Sequence, residues 1–256
     1  VLIDGQTAFV GGMNIGNEYA GLEEGRQRWR DVGVRIDGPA VAVLAELFRE
    51  SWRAEGGHVP NAWGTPVPAA AAEAEAGVLV VSGGPHHNRS FIRSAFRMAM
   101  AGAAESIRIV NPYFIPGPRV IRSLLRAAGR GVQVQLILPS RSDVRLVQLV
   151  SRSSYAPLLR AGVEIYERQG TVLHAKVMLI DDCWAVIGSA NLDQRSFHRN
   201  YEVNVIVDSQ EFGGQVAAML SDDLAASRRV DLREHERRGV VARFLERVFS
   251  SVSWFL

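Results

Sequence analysis

A thirteen-residue pattern occurs twice in this chain, and that recurrence limits the possible fold more than any other feature. Asp4 is followed at fixed offsets by Gly11, Gly12 and Asn14 (IDGQTAFVGGMNI), and Asp181 by Gly188, Ser189 and Asn191 (IDDCWAVIGSANL), 177 residues later. Further on, Arg30-Asp31-Val32 resembles Tyr201-Glu202-Val203, with an intervening loop six residues longer in the first copy. Self-similarity on this scale means two matched structural halves, and hence a bilobed, pseudo-twofold molecule.

Around the repeat, strand-like and helix-like periodicities alternate. Strands are expected near 1–4, 8–12 and 32–37, followed by a helix opened by Asp37-Gly38-Pro39 with Val41, Leu44, Phe48 and Trp52 on one face. Beyond a Gly-, Pro- and Ala-rich stretch come strands at 78–81, 107–110, 132–138, 163–166, 172–180, 184–187 and 202–207. Helices are expected between them at about 88–102, 118–129, 144–161, 211–226 and 232–248. The fold class is α/β, with mixed sheets flanked by helices. Residues 1–56 are expected to end a first lobe that is incomplete, 57–77 to be a linker, and 78–256 to form a complete second lobe.

The second copy is preceded by His174 and Lys176; the first would have its His and Lys at positions −3 and −1, before Val1. The opening Val1-Leu2-Ile3-Asp4-Gly5 reads as the end of a strand entering a turn, so the chain is expected to begin inside a longer polypeptide. In the second half 96 residues, Val78 through Leu173, precede His174, which puts the expected missing part of the first half at roughly a hundred residues.

Composition narrows the chemistry. Of 29 basic residues 28 are Arg, and the only Lys is Lys176. A chain this biased keeps one lysine where a compact ammonium is needed and a flat guanidinium would not serve. The net charge of +2 offers no broad field of the kind a sequence-independent nucleic-acid binder shows, so no nucleic-acid partner is expected. A single cysteine, Cys183, excludes an intrachain disulfide and a thiolate metal site, and no apolar run reaches the length of a membrane span.

In a strand, residues two apart share a face, so His174 and Lys176 would present an imidazole and an ammonium side by side. That pair suits a phosphodiester: His attacks phosphorus or protonates a leaving oxygen, while Lys stabilises charge building on the non-bridging oxygens. Ser189 and Asn191 add a hydroxyl and an amide donor, and no metal or other cofactor is required. The imidazole needs its second nitrogen held, and Glu202, 28 residues on, is the expected partner, with Asp31 as its first-half equivalent. Asp181 closes the pattern H-x-K-x4-D-x6-G-S-x-N and is counted with the site, although a turn-forming role suits it better; Gly188 serves close backbone approach.

With these residues in view, the chain resembles the phospholipase D superfamily, defined by H-x-K-x4-D, and within it the bacterial cardiolipin synthases. The likeness runs through VGGMNIGNEY (10–19), WRDVGVRIDGPAV (29–41), NPYFIPG (111–117), RGVQVQLILP (130–139), YAPLLRAGVEIYE (155–167), LHAKVMLIDDCWAVIGSANLDQRSF (173–197) and NYEVN (200–204). It implies one active site between two lobes, in which one His forms a phosphohistidine and the other acts as acid, then base. His174 would be the acid/base, with Lys176, Asn191, Asn14, Ser189 and Gly12 around the phosphate, Asp31 beside it, and Tyr113 lining a lipid entrance. It further implies transfer of a phosphatidyl group between two phosphatidylglycerols, an anionic phospholipid partner, and an intact protein at the bacterial cytoplasmic membrane. A phospholipase D, another phosphatidyltransferase and a nuclease remain alternatives, and the chain alone is expected to lack one His and one Lys. The stretch 233–256 has an apolar stripe opposite Arg237, Arg238, Arg243 and Arg247, which suits an interfacial helix or one packed on the core. His86, His87 and His198 show no ligand spacing.

Overall fold

The computed structural model describes residues 1–20, 29–60, 76–85 and 91–239. Most of the expected linker, His86 and His87, the expected helix start at Asn88 and the stretch from 240 onward lie outside the described residues.

Two sheets form. The smaller is antiparallel and holds β1 (Leu2–Ile3), β2 (Thr7–Gly11) and β3 (Gly33–Asp37) in that order, followed in the chain by α1 (Ala40–Ala54). The larger holds β4 (Gly77–Gly83), β5 (Ser106–Val110), β6 (Gln133–Pro139), β7 (Glu164–Arg168), β8 (Val177–Ile180), β9 (Trp184–Gly188), β10 (Glu202–Asp208) and β11 (Ser227–Arg229). Its spatial order is β11-β7-β6-β5-β8-β9-β10-β4, with β5, β6 and β7 parallel and the other pairings antiparallel. Between the strands run α2 (Phe91–Gly102), α3 (Pro118–Gly129), α4 (Arg145–Ser153), α5 (Tyr155–Arg160), α6 (Gln194–His198) and α7 (Gln210–Ala225), with α8 (Leu232–Glu236) after β11.

The sequence repeat is a structural repeat down to register. Ile3 pairs with Thr7 and Leu2 with Ala8; 177 positions on, Ile180 pairs with Trp184 and Leu179 with Ala185. Both turns have two successive left-handed residues, Asp4 and Gly5 (φ 52° and 66°) and Asp181 and Asp182 (φ 49° and 52°). That geometry matches the right-handed twist of a hairpin, and Asp tolerates it better than most side chains. Gly11 and Gly188 are equivalent in space as well: an added Cβ would lie 2.3 Å from the Val32 carbonyl oxygen in one copy and 2.4 Å from that of Val203 in the other.

Side chains alternate across the large sheet with the period of two that a strand imposes. Ile107, Ile109, Leu136, Met178, Ile180, Val186 and Ile206 face a core built with α2, α3 and α5. Val177, Leu179, Ala185, Ile187 and Val205 face the other way, against Val216 and Leu220 of α7 and against Ala8, Val10, Val34, Ile36, Val41 and Leu44 of the small sheet and α1. The small sheet therefore has no core of its own; burial of these six residues contributes on the order of 10 kcal/mol before chain entropy is counted.

A second attachment is polar. Arg30 N–H donates to the Val172 carbonyl and His174 N–H to the Arg30 carbonyl, each at 2.8 Å, forming an isolated parallel bridge between Arg30 and Leu173. The Arg30 guanidinium donates twice to Asp223 of α7, at 3.0 Å each, and Arg168 of β7 donates to the same carboxylate at 2.9 Å. Asp223 is only 2% exposed, so its charge is tolerable because two cations meet it.

The expected helix over 144–161 is two helices, because Pro157 has no N–H for the Ser153 carbonyl and its ring crowds that oxygen. The expected strand over 172–180 enters the ladder only at Val177, since the preceding backbone is engaged by Arg30. α6 and β11 were not expected. At the C-terminal end, α8 packs on the core through His235, stacked on Tyr155 with centroids 5.4 Å apart. Replacing Asp223 by Ala is expected to cost about 3 kcal/mol by leaving two part-buried guanidinium groups facing each other, read as a lowered urea midpoint.

Candidate active site

His174 and Lys176 stand on the extended lead-in to β8, on the face shared with Met178 and Ile180. The two side chains meet: Lys176 Nζ is 3.0 Å from His174 Nδ1 and 3.1 Å from Nε2, and it also donates to the His174 carbonyl. His174 Nδ1 lies 2.7 Å from Asp31 Oδ2 and 2.9 Å from the Tyr19 hydroxyl. Asp31 is fixed in turn by the Val32 N–H, 2.8 Å from its Oδ1. A carboxylate at Nδ1 holds the proton on that nitrogen, which leaves the Nε2 lone pair for chemistry.

Glu202 is not the partner of His174. Its carboxylate accepts from the Ser189 hydroxyl and from Asn200 Nδ2 at 3.1 Å. The reason lies in the Arg30 bridge, which carries the neighbouring Asp31 of the opposite half to the imidazole. The orienting carboxylate thus comes across the repeat, not from within it. Gly12 makes room for this contact, because a Cβ there would lie 2.7 Å from Asp31 Oδ1 and 3.0 Å from Lys176 Cδ.

Asp181, counted with the site by its place in the motif, lies outside it and has the turn-forming role that suited it better. It stands at the far end of β8, roughly 16 Å from Lys176 at about 3.3 Å per residue. There its carboxylate accepts from the Ala104, Glu105 and Ser106 N–H groups at 2.8–2.9 Å. Partial burial pushes its pKa up, but the three N–H donors win and hold it below the usual carboxylate range. It is a clamp between the β8–β9 turn and β5.

Asn191 follows β9 on a loop pinned by two buried asparagines. Asn204 Oδ1 accepts from Ala190 N–H at 3.2 Å, and Asn111 Oδ1 from Leu192 N–H at 3.3 Å. Asn191 N–H donates to Ser196, while its Oδ1 is buried with no hydrogen-bond partner among the described residues, an uncommon state outside a binding site. Asn14 reaches the centre at one remove, beside Tyr19, whose pKa it lowers slightly against the larger effect of burial. Tyr113 faces the imidazole edge-on, centroids 6.2 Å apart, with its hydroxyl donating to Asp143 at 2.6 Å.

The sequence reading missed Tyr19, Trp29, Asp143, Asp193 and the two pinning asparagines as part of this assembly. Trp29 lies 5.4 Å from the imidazole centroid and Tyr19 6.0 Å, so three aromatic rings wall the ring off. The D-x-x-S spacing of a helix cap was a usable signal for Asp193, which accepts from Ser196 N–H at the start of α6. Burial raises its pKa to about 6. Lys176 is 5% exposed. Desolvation lowers its pKa to about 8, against the pull of Asp31, Glu202, Asp143 and Asp193.

Comparison with known proteins shows the family. The family described as "Cardiolipin synthase, PLD-like domain" matches residues 96–224, half of the chain. The chain belongs to this phospholipase D-like family. "Cardiolipin synthase 2" of Bacillus anthracis is 37% identical over 99% of this chain and 49% of its own length. "Cardiolipin synthase A" of Pseudomonas putida (strain GB-1) is 36% identical over 98% of this chain and 53% of its own. The chain thus spans about half the length of these relatives. Among solved structures, phosphatidylserine synthase of Haemophilus influenzae superposes over 96% of the chain and 67% of its own with a TM-score of 0.74 at 12% identity. The phospholipase D family member Nuc from Salmonella typhimurium aligns over 61% of this chain and 99% of its own, with a TM-score of 0.52 at 21% identity. These two likenesses concern the fold.

Because Lys176 is the only lysine, carbon-13 lysine labelling yields a single Cε resonance. Its pH titration is expected to centre near 8 and not near the ordinary 10.5, with the ammonium intact at neutral pH and lost as pH rises.

Proposed function

We propose that the intact protein is a phosphatidyltransferase that joins two phosphatidylglycerols into cardiolipin and releases glycerol. The observation that carries this reading is the His174 imidazole, its Nδ1 held by Asp31 and its Nε2 beside the Lys176 ammonium. The relatives named cardiolipin synthase over nearly the whole chain support the substrate class.

In the first displacement an imidazole nitrogen of a second His attacks phosphorus, and the phosphorus–oxygen bond to glycerol breaks. His174, entering this step as the imidazolium with Nδ1–H held by Asp31, gives its Nε2 proton to the departing glycerol oxygen. In the second, His174 takes the proton from the free hydroxyl of another phosphatidylglycerol as that oxygen attacks phosphorus, and the nitrogen–phosphorus bond breaks. Lys176 holds the non-bridging oxygens in both steps, together with Asn191 and Asn14, and its charge is most effective where water is excluded. Two in-line steps retain configuration at phosphorus.

Under this reading the second His and its Lys belong to the first-half copy of the repeat, and Asp31 indicates how that His is held. A first-half carboxylate orients the second-half His; by the same pseudo-twofold, Glu202 orients the first-half one. Under this reading residues 1–56 end the first lobe, 57–77 connect it, and 78–256 form the second. The intact protein works at a membrane surface on anionic phospholipid, although no helix among the described residues is long and apolar enough to cross a bilayer.

Thin-layer analysis of labelled phosphatidylglycerol incubated with the full-length protein is expected to show cardiolipin and glycerol. Phosphatidic acid without cardiolipin overturns the reading. Asp31→Asn and Glu202→Gln are each expected to lower kcat by about 10²–10⁴-fold, as loss of an imidazole's orienting carboxylate does elsewhere.

A further inference from the structure

The near-neutral total conceals a strong asymmetry. Between Gly77 and Ser142 lie nine arginines and one carboxylate, Glu105, a net charge of +8 in a chain whose total is +2, so the remainder carries −6. The balanced total averages over this basic stretch.

Four arginines of this stretch, Arg93, Arg97, Arg119 and Arg122, are joined by Arg195 and Arg199 at α6. α2, α3 and α6 bury Ile92, Phe96, Val120, Leu124 and Phe197 in the same core and turn their other sides outward. Arg97, Arg119, Arg122, Arg195 and Arg199 are exposed there. Arg93 Nη1 lies 2.9 Å from His198 Nε2 across the α2–α6 seam. Burial, then Arg119 and Arg97, lowers the pKa of Arg93, and burial, then Arg93 and Arg119, lowers that of His198. Some arginines elsewhere on the surface are met by carboxylates, as Arg160 is by Glu236 and Arg229 by Glu164.

Among the arginines stand Phe91, 59% exposed, and Met98, 74% exposed, seven residues apart and so on one side of α2. The face also adjoins the site. α6 begins three residues after Asn191 and α3 five residues after Tyr113.

We propose that the outer face of α2, α3 and α6 is the surface by which the protein lies on a bilayer rich in anionic phospholipid. The arginines sit at headgroup level, and Phe91 and Met98 enter the boundary with the acyl chains. A nucleic acid would satisfy the cations but leave both apolar side chains against phosphate and water. The choice of a bilayer also rests on the functional reading above, since a lipid substrate must reach His174 from a membrane.

The test is co-sedimentation of the 256-residue chain with vesicles of phosphatidylglycerol and phosphatidylcholine, with pure phosphatidylcholine and a DNA duplex as comparisons. The parent chain is expected to bind the anionic vesicles, less so as salt rises. Arg97→Gln/Arg119→Gln is expected to lower partitioning on the order of ten-fold, and Phe91→Ser/Met98→Ser to lower it with no change in salt dependence. Arg160→Gln/Arg229→Gln, which removes the same charge from paired arginines, leaves it unchanged. All replaced side chains are exposed, and circular dichroism confirms that each variant is folded. Patch variants that bind like the parent overturn the proposal, as does tighter binding to the duplex than to anionic vesicles. Sedimentation needs no turnover. Patch-dependent binding by a full-length protein that makes no cardiolipin overturns the functional reading alone; cardiolipin synthesis with patch-independent binding overturns the docking surface alone.

Discussion

The 2.7 Å contact between Asp31 and His174 joins the two copies of the repeat, and much of the remaining structure serves to hold it. It could not form by side-chain reach alone, because the two residues lie 143 positions apart. The backbone bridge at Arg30 sets the register, the Asp223 carboxylate secures the Arg30 side chain from α7, and the apolar face shared by both sheets fixes the distance between the halves. Each attachment is of a different physical kind. Loss of any one shifts Asp31 along or away from the imidazole, and orienting contacts of this type are sensitive to shifts of about 1 Å.

Lys176 shows the opposing pressures in such a site. Burial disfavours its charge, and four carboxylates restore part of it, so the ammonium is kept close to its point of deprotonation. Under the proposed function, a phosphoester entering the site adds negative charge beside it and favours the protonated form, so the lysine is most firmly charged when that substrate is present. The aromatic rings of Tyr19, Trp29 and Tyr113 limit water at the same place, which strengthens each remaining electrostatic contact.

The repeat made the architecture legible, since thirteen residues at fixed offsets determine a turn, a hairpin register and a close glycine contact twice over. The unique lysine and the His two residues before it were legible for the same reason that strands alternate. The cross-repeat pairing was not. Glu202 and Asp31 occupy equivalent places in their copies, and nothing in linear spacing says whether a carboxylate serves its own half or the other. That choice is made by the Arg30 bridge, a single long-range backbone contact with no sequence signature. Tyr19, Trp29 and Asp143 were hidden likewise, because aromatic and acidic residues in loops have many uses and only the fold brings them to one imidazole. The break at Ser154 was readable in principle from Pro157.

The cross-repeat carboxylate bears on how such a molecule could arise. If each half orients the other's imidazole, a half-length ancestor had no self-sufficient centre and had to pair with a second copy about a two-fold axis. Gene duplication and fusion would then preserve an existing dimer in one polypeptide. Afterwards each half was free to diverge in its periphery, as the six-residue difference in loop length shows, but not at the seam.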